Sequence, residues 1–190
     1  MDFKKLIKKR ASIRYFSDKK PKIEDVVKLI DAANLAPSPG NLPILQFIIV
    51  EEPDRIAQIA EACQQEWIKQ APFLVVFCST PTKPTLLYED RADKYIKHHA
   101  GAAIENFLLM ATDMGLASCW VGAFSDITLR RILKIPEGKA DIEAILPVGY
   151  QHAYDKTVQK TKRTLGERLR FENFTNKFKS PFIKLSRSKI

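Results

Sequence analysis

Phe73-Leu74-Val75-Val76-Phe77-Cys78 is an unbroken apolar run, and it constrains the fold more than any other stretch. A short apolar run bounded by turn residues reads as a buried strand. It is far shorter than the ~20 residues needed to span a bilayer, as is Phe47 to Val50. Leu45 to Val50, Ser118 to Val121 and Ala144 to Val148 read as three further strands. Helical patterns lie before and between them. Asp2 to Lys9 carries Phe3, Leu6 and Ile7 at helical spacing. Pro21 opens a second helix with Ile23, Val26, Val27, Ile30 and Ala33 as its buried stripe, ended by Pro37 and Gly40. Pro53 to Trp67 is helical by composition, with Ile56, Ile59, Ala60 and Cys63 on one side. Thr80 to Asp90 reads as a loop. Lys94 to Met114 is the longest helix, lined by Ala100, Ala103, Ile104, Phe107, Leu108 and Ala111. Its Gly101 and Ala102 permit close approach of another helix, and Gly115 caps its end. Asp126 caps a short helix to Leu133. Helices that do not alternate regularly with strands predict an α+β fold, four or five strands wrapped by helices, rather than a doubly wound sheet.

At 190 residues, 45% apolar and 28% charged, the chain has the size and composition of one globular domain. No apolar segment follows the basic start as in a secretory signal, so the expected location is cytoplasmic, with no membrane partner. Cys63, Cys78 and Cys119 share no CxxC spacing, and there is no HExxH motif. The thiols are expected to be free and buried, and no metal site is expected. GxGxxG, GxxxxGK[ST] and GxSxG are all absent, which leaves dinucleotide-fold, P-loop and hydrolase readings without support.

The net charge of +9 is concentrated at one end. Residues 1–155 carry 20 basic and 20 acidic side chains, whereas residues 156–190 carry 11 basic and two acidic. Such a tail could meet nucleic acid or acidic lipid, and it could equally be a solvated arm or a segment whose first lysines hold a phosphate.

Four segments are poorly explained by packing alone. In Arg10-Ala11-Ser12-Ile13-Arg14 an extended backbone would point Arg10, Ser12 and Arg14 the same way. Two guanidiniums and a hydroxyl on one side make an anion site, although the segment reads equally as a continuation of the basic face of Lys4, Lys5, Lys8 and Lys9. Residues 36–47 form a loop dense in Pro, Gly, Ser and Asn that runs into a strand, so Ser38, Asn41 and Gln46 could face a pocket. In residues 115–124 a strand delivers Gly122 to a turn where its N–H could reach a ligand. Gln159 to Arg163 supplies further cations beyond the last strand.

The order of these pieces resembles the nitroreductase family of flavoproteins. R-x-S-x-R is followed by Pro37-Ser38-Pro39-Gly40-Asn41-Leu42, then Ala102-Ala103-Ile104-Glu105-Asn106 on the long helix. Gly115 to Gly122, Pro147-Val148-Gly149-Tyr150 and Lys160-x-Lys162-Arg163 complete the series, over roughly residues 3–168. The resemblance implies an α+β sandwich around a mostly antiparallel sheet and an intertwined homodimer with FMN at the interface. Residues 1–170 would form the FMN-binding domain, and 171–190 a basic extension, outside the resemblance, that could wrap the partner.

Carried over by position, Arg10, Ala11 and Ser12 would meet the FMN phosphate and ribityl chain, and Arg14 the ring near N1 and O2. Ser38 belongs with the loop of Asn41, which reaches the pyrimidine edge from the partner or across the interface. Val121 and Gly122 would approach N5 and O4, while Lys160, Lys162 and Arg163 would hold the phosphate. Arg14 and Gly122 are thus the expected catalytic pair. The implied activity is ping-pong transfer from NADH or NADPH through FMN to a small acceptor such as a nitroaromatic or a quinone. Relatives of this fold also perform dehalogenation, flavin fragmentation and cobalamin-precursor reduction. A basic nucleic-acid-binding protein is the reading of a different class. Two departures from the family pattern stand out. Pro43-Ile44-Leu45 replaces the family's QPW, and His98-His99, expected at the surface or an interface although one could act on bound substrate, replaces an acidic or Gln-Asp pair.

Overall fold

The computed structural model describes residues 2–155 and 168–176, and two compact units, Met1–Thr157 and Val158–Ile190, partition the chain. In the first unit β1 (Leu45–Val50), β2 (Phe73–Ser79), β3 (Ala117–Ser118) and β4 (Asp141–Gly149) form one sheet in the order β1-β2-β4-β3. Every pairing is antiparallel. The helices are α1 (Phe3–Lys9), α2 (Ile23–Asn34), α3 (Pro53–Ala62), α4 (Thr82–Tyr88), α5 (Ala92–Asp113) and α6 (Asp126–Leu133).

The unbroken apolar run of β2 follows from its position between two cores. Phe73, Val75 and Phe77 point to the face covered by α2 and α5, where Val26, Leu29, Ile104 and Phe107 meet them. Leu74, Val76 and Cys78 point to the opposite face, filled by Ile56, Ile59, Ile68, Leu129 and Ile145. The Phe77 ring is clasped edge-on by Phe47 at 4.9 Å and Phe107 at 5.5 Å between centroids. Truncating such a buried ring typically costs about 3–5 kcal/mol. Continuous apolar strands are usual in parallel sheets. Here an antiparallel sheet carries one because helices cover both of its faces.

Several elements differ from the sequence expectation. β1 is an edge strand in which Val50 alone is buried. The buried stripe of α2 is Val26, Leu29 and Ala33, and Ile23 and Val27 face outward. α3 stops at Ala62, because Gln64 adopts φ 54°, and a separate 3-10 turn covers Glu66–Gln70. The stretch expected to be a loop contains α4, with Pro84 in its first turn. A first-turn N–H has no intrahelical acceptor, so proline is tolerated there. The cap of α6 is Ser125, whose Oγ accepts the Thr128 N–H at 3.4 Å, rather than Asp126. Gly101 of α5 faces the Trp120 ring, 3.8 Å from where a Cβ would sit, rather than a second helix. The long helix itself, its apolar face and the Gly115 cap with φ 72° are as expected. The three cysteines are free and buried.

Candidate functional site

Arg10 ends α1, donating its backbone N–H to Leu6 O at 2.9 Å, and from there the chain runs extended. The Ile13 N–H is bonded to Ser118 O at 3.0 Å, which lays the segment beside β3. Phe16 bridges to Gln151, the Ser17 N–H reaches Tyr150 O at 2.9 Å, and Gln70 Oε1 accepts the Phe16 N–H at 3.2 Å. Ile13 and Phe16 are buried with the core that holds Leu74 and Val76, and Ala11 packs against it. That anchoring turns Ser12 and Arg14 outward, with Arg10 half-buried.

All three side chains lie near one buried group, the Cys119 thiol. Burial pushes the pKa of this thiol up. The Arg14 charge, a hydrogen bond from Ser12 and the Arg10 charge pull it the other way without prevailing. Arg10 Nε lies 3.3 Å from Glu105 Oε1 of α5. The Arg14 guanidinium carbon is 5.9 Å from the centroid of the Trp67 ring. The site offers a row of cations and a hydroxyl, the donor set that suits a phosphate or a delocalised anion.

Past β3 the strand is shorter than expected, because the chain swings Trp120 outward before rejoining the sheet. Val121 returns through a reciprocal pair of bonds with Ile145, both 3.0 Å. Gly122 follows and is exposed. A Cβ placed on it would lie 3.8 Å from Trp120 Nε1, so the indole stands as a wall beside this turn.

Ser38 and Asn41 occupy a different place. Pro39–Asn41 form a 3-10 turn in which Gly40 has φ 59° and Asn41 φ 55°, and the Asn41 N–H donates to Ser38 O at 3.2 Å. Asn41 and Gln46 are exposed. Ser38 faces a cavity walled by Tyr88 of α4 and Tyr95, His98 and His99 of α5. Among the described residues no recorded contact joins Ser38 or Asn41 to Arg10, Ser12 or Arg14. His98 is exposed as expected, but His99 is not a surface residue. It is 6% exposed, with Nδ1 2.8 Å from Pro37 O. Lys160, Lys162 and Arg163 lie outside the described residues.

Glu105, Trp67, Cys119 and Trp120 border the site without having been singled out in the sequence. Glu105 left a usable signal inside the Ala102–Asn106 motif, as did Cys119 and Trp120 inside the Gly115–Gly122 motif, whereas Trp67 lies in none of the motifs. Among the described residues no group of His, Cys, Asp and Glu could hold a metal ion, and no helix is long and apolar enough to cross a membrane.

Comparison with known proteins bears on this geometry. A family model described as the nitroreductase family matches residues 7–70 and 58–150. A protein of Archaeoglobus fulgidus with the provisional name NADH dehydrogenase/NAD(P)H nitroreductase is 32% identical over 151 residues, 77% of this chain and 83% of that one. Iodotyrosine deiodinase of Thermotoga neapolitana is 27% identical over 173 residues, covering 76% of this chain and 86% of its own. The solved structure of an FMN-dependent nitroreductase from Clostridium difficile R20291 is similar at a TM-score of 0.74 and 25% identity, covering 89% of this chain and 98% of that one.

Proposed function

The chain belongs to the nitroreductase family, and from that premise we propose that it is an FMN-dependent NAD(P)H oxidoreductase acting on a small acceptor such as a nitroaromatic or a quinone. The observation that carries the reading is the extended Arg10–Arg14 segment, pinned beside β3 by the Ile13–Ser118 hydrogen bond so that Ser12 and Arg14 face outward. The names of the relatives, which include an FMN reductase that uses NAD(P)H in Bacillus subtilis, support the cofactor and the donor.

The donor set fits the cofactor. Arg10 and Ser12 would bind the phosphate end, with Ala11 giving backbone contact. Glu105 shares Arg10 and holds its guanidinium from the α5 side. Arg14 places a cation beside the pyrimidine edge and stabilises negative charge arriving there. Val121 and Gly122 would offer backbone to the ring, with Gly122 exposed at its turn. FMN held by these residues would supply two-electron chemistry in two separate half-reactions, one with NAD(P)H and one with the acceptor. Ser38 and Asn41, standing apart from Arg10 in one chain, serve the site of a partner subunit in a homodimer, and the acceptor enters near them.

Purified protein should be yellow, or become yellow when FMN is added. Colourless protein that takes up no FMN rejects the reading. Arg10→Ala should weaken FMN retention by roughly 1.5–3 kcal/mol, the value of a hydrogen bond to a charged group. Arg14→Ala should instead lower the flavin potential and slow reduction. Equal affinity and potential in both variants would contradict the division of roles.

A second reading, reductive removal of halogen from an aromatic substrate, is favoured by the similarity to the Thermotoga neapolitana deiodinase. Halide release from a halogenated phenol under reducing conditions, with no turnover of nitroaromatics, would select it.

A further inference from the structure

The cavity that Ser38 faces has a volume of about 350 Å³. That is near the small end of the range for ligand pockets and suits a compound of one or two rings. Two of its walls are aromatic. Tyr88 and Tyr95 meet edge to face with centroids 5.0 Å apart. The Tyr88 hydroxyl lies over Gly40, where a Cβ would come within 2.8 Å of it. The ring is thereby held against the loop by a residue that must also adopt φ 59°.

Beside Ser38, His98 and the two tyrosines its lining includes His99, the one buried histidine among the described residues. A carbonyl oxygen can only accept, so the 2.8 Å contact with Pro37 O requires the proton on Nδ1. In the neutral ring Nε2 is then an acceptor. It has no partner among the described residues and is not sealed from solvent. His99 lines the cavity. The loop-to-helix contact therefore fixes the tautomer of a buried residue in the cavity wall and leaves Nε2 as its acceptor.

We propose that this cavity binds a planar aromatic ligand bearing a hydroxyl group, its ring seated beside Tyr88 and Tyr95 and its O–H donated to His99 Nε2. The ligand class is phenolic, and His99 is the residue that selects for it. The proposal rests on the flavin reading for the ligand's part in the reaction, because the wall of the cavity is the loop that carries Asn41. Binding itself needs only the cavity. A site that offers an acceptor discriminates against a ligand that lacks the donor, because the acceptor is then left unpaired.

The test compares 2-naphthol with 2-methoxynaphthalene, which has the same rings and no donor, on the full chain saturated with FMN. Calorimetry gives the affinities, and nitrogen NMR follows the His99 ring. Naphthol should bind about tenfold tighter than its ether, the fold-change for one hydrogen bond. It should shift the Nε2 resonance while Nδ1 stays in place. His99→Phe should bind the two compounds equally, and the wild-type spectrum serves if that variant does not fold. Equal affinities in the wild type, no binding of either compound, or an unmoved Nε2 resonance overturns the proposal. Preferential naphthol binding by protein that takes up no FMN supports this proposal while rejecting the flavin reading.

Discussion

Gly149→Ala tests whether the sheet and the Arg10–Arg14 segment are one mechanical unit. Gly149 ends β4, pairs with Ala117 and needs no unusual backbone angle, so alanine is excluded there by contact alone. A Cβ at this position would sit 2.9 Å from Phe16 Cδ1 and 2.9 Å from Pro72 Cδ. Real Cβ contacts are not that short, so something must move. The proline ring is fixed to its own backbone. Phe16 is 3% exposed and tied at its backbone to Gln151 and Gln70, so the ring cannot swing into solvent cheaply. Overpacking of this kind costs about 1–3 kcal/mol. For a chain of 190 residues each kcal/mol shifts Tm by about 2–4 °C, so the expected fall is roughly 2–12 °C. The strain falls on the segment that carries Arg14, so FMN affinity should drop with it. Thermal unfolding followed by circular dichroism and FMN titration followed by flavin fluorescence supply the two numbers. Adding Phe16→Leu should recover only part of the loss, because the Pro72 contact remains. A variant that melts and binds like the wild type would refute the tight packing of Phe16 and Pro72 on Gly149. A lower Tm with unchanged FMN affinity would refute the coupling of that contact to the site.

Gly101→Ala should act in the opposite direction. Its Cβ meets Trp120 at an ordinary 3.8 Å, and alanine within a helix is favoured over glycine by about 0.5–1 kcal/mol, so the melting temperature should rise. Burial pushes the Cys63 and Cys78 thiols up from 9.0 to about 11. Their protons are held more tightly in the folded chain, so the associated stability is complete below about pH 9 and lost as pH rises towards 11. A shift of that size is worth at most a few kcal/mol per thiol, on the order of 1–3 kcal/mol. Urea unfolding across that window should show a steeper alkaline loss for the wild type than for Cys63→Ala with Cys78→Ala, and parallel curves would remove the thiols from the account.

The elements legible in the sequence were those whose pattern is local. β2 and β4 declared themselves as apolar runs, and α5 by a long stripe closed by Gly115. What escaped depended on residues doing an unaccustomed job. Gln64 takes the left-handed conformation that usually announces itself as glycine. Pro84 looked like a breaker and sits where a helix needs no N–H. The stripe of α2 was read one face away from its centre, since Ile23 and Val27 are as apolar as Leu29 and only the partner α5 decides which side is covered.

The site divides along the same line. Arg10, Ser12 and Arg14 could be grouped from sequence because a period of two is a property of the segment itself. That they gather around Cys119 could not, because it depends on the Ile13 N–H finding Ser118 O far along the chain. Nothing local in either segment specifies that register. It follows from burying Ile13 and Phe16 in a core completed by α3 and α6. Register is strongly specified where one face is buried, since a slip of one residue would exchange the two faces. Ile13 and Phe16 are therefore what aims the cations. Polar substitution of Ile13 should scatter Arg10, Ser12 and Arg14 while leaving all three in place in the sequence.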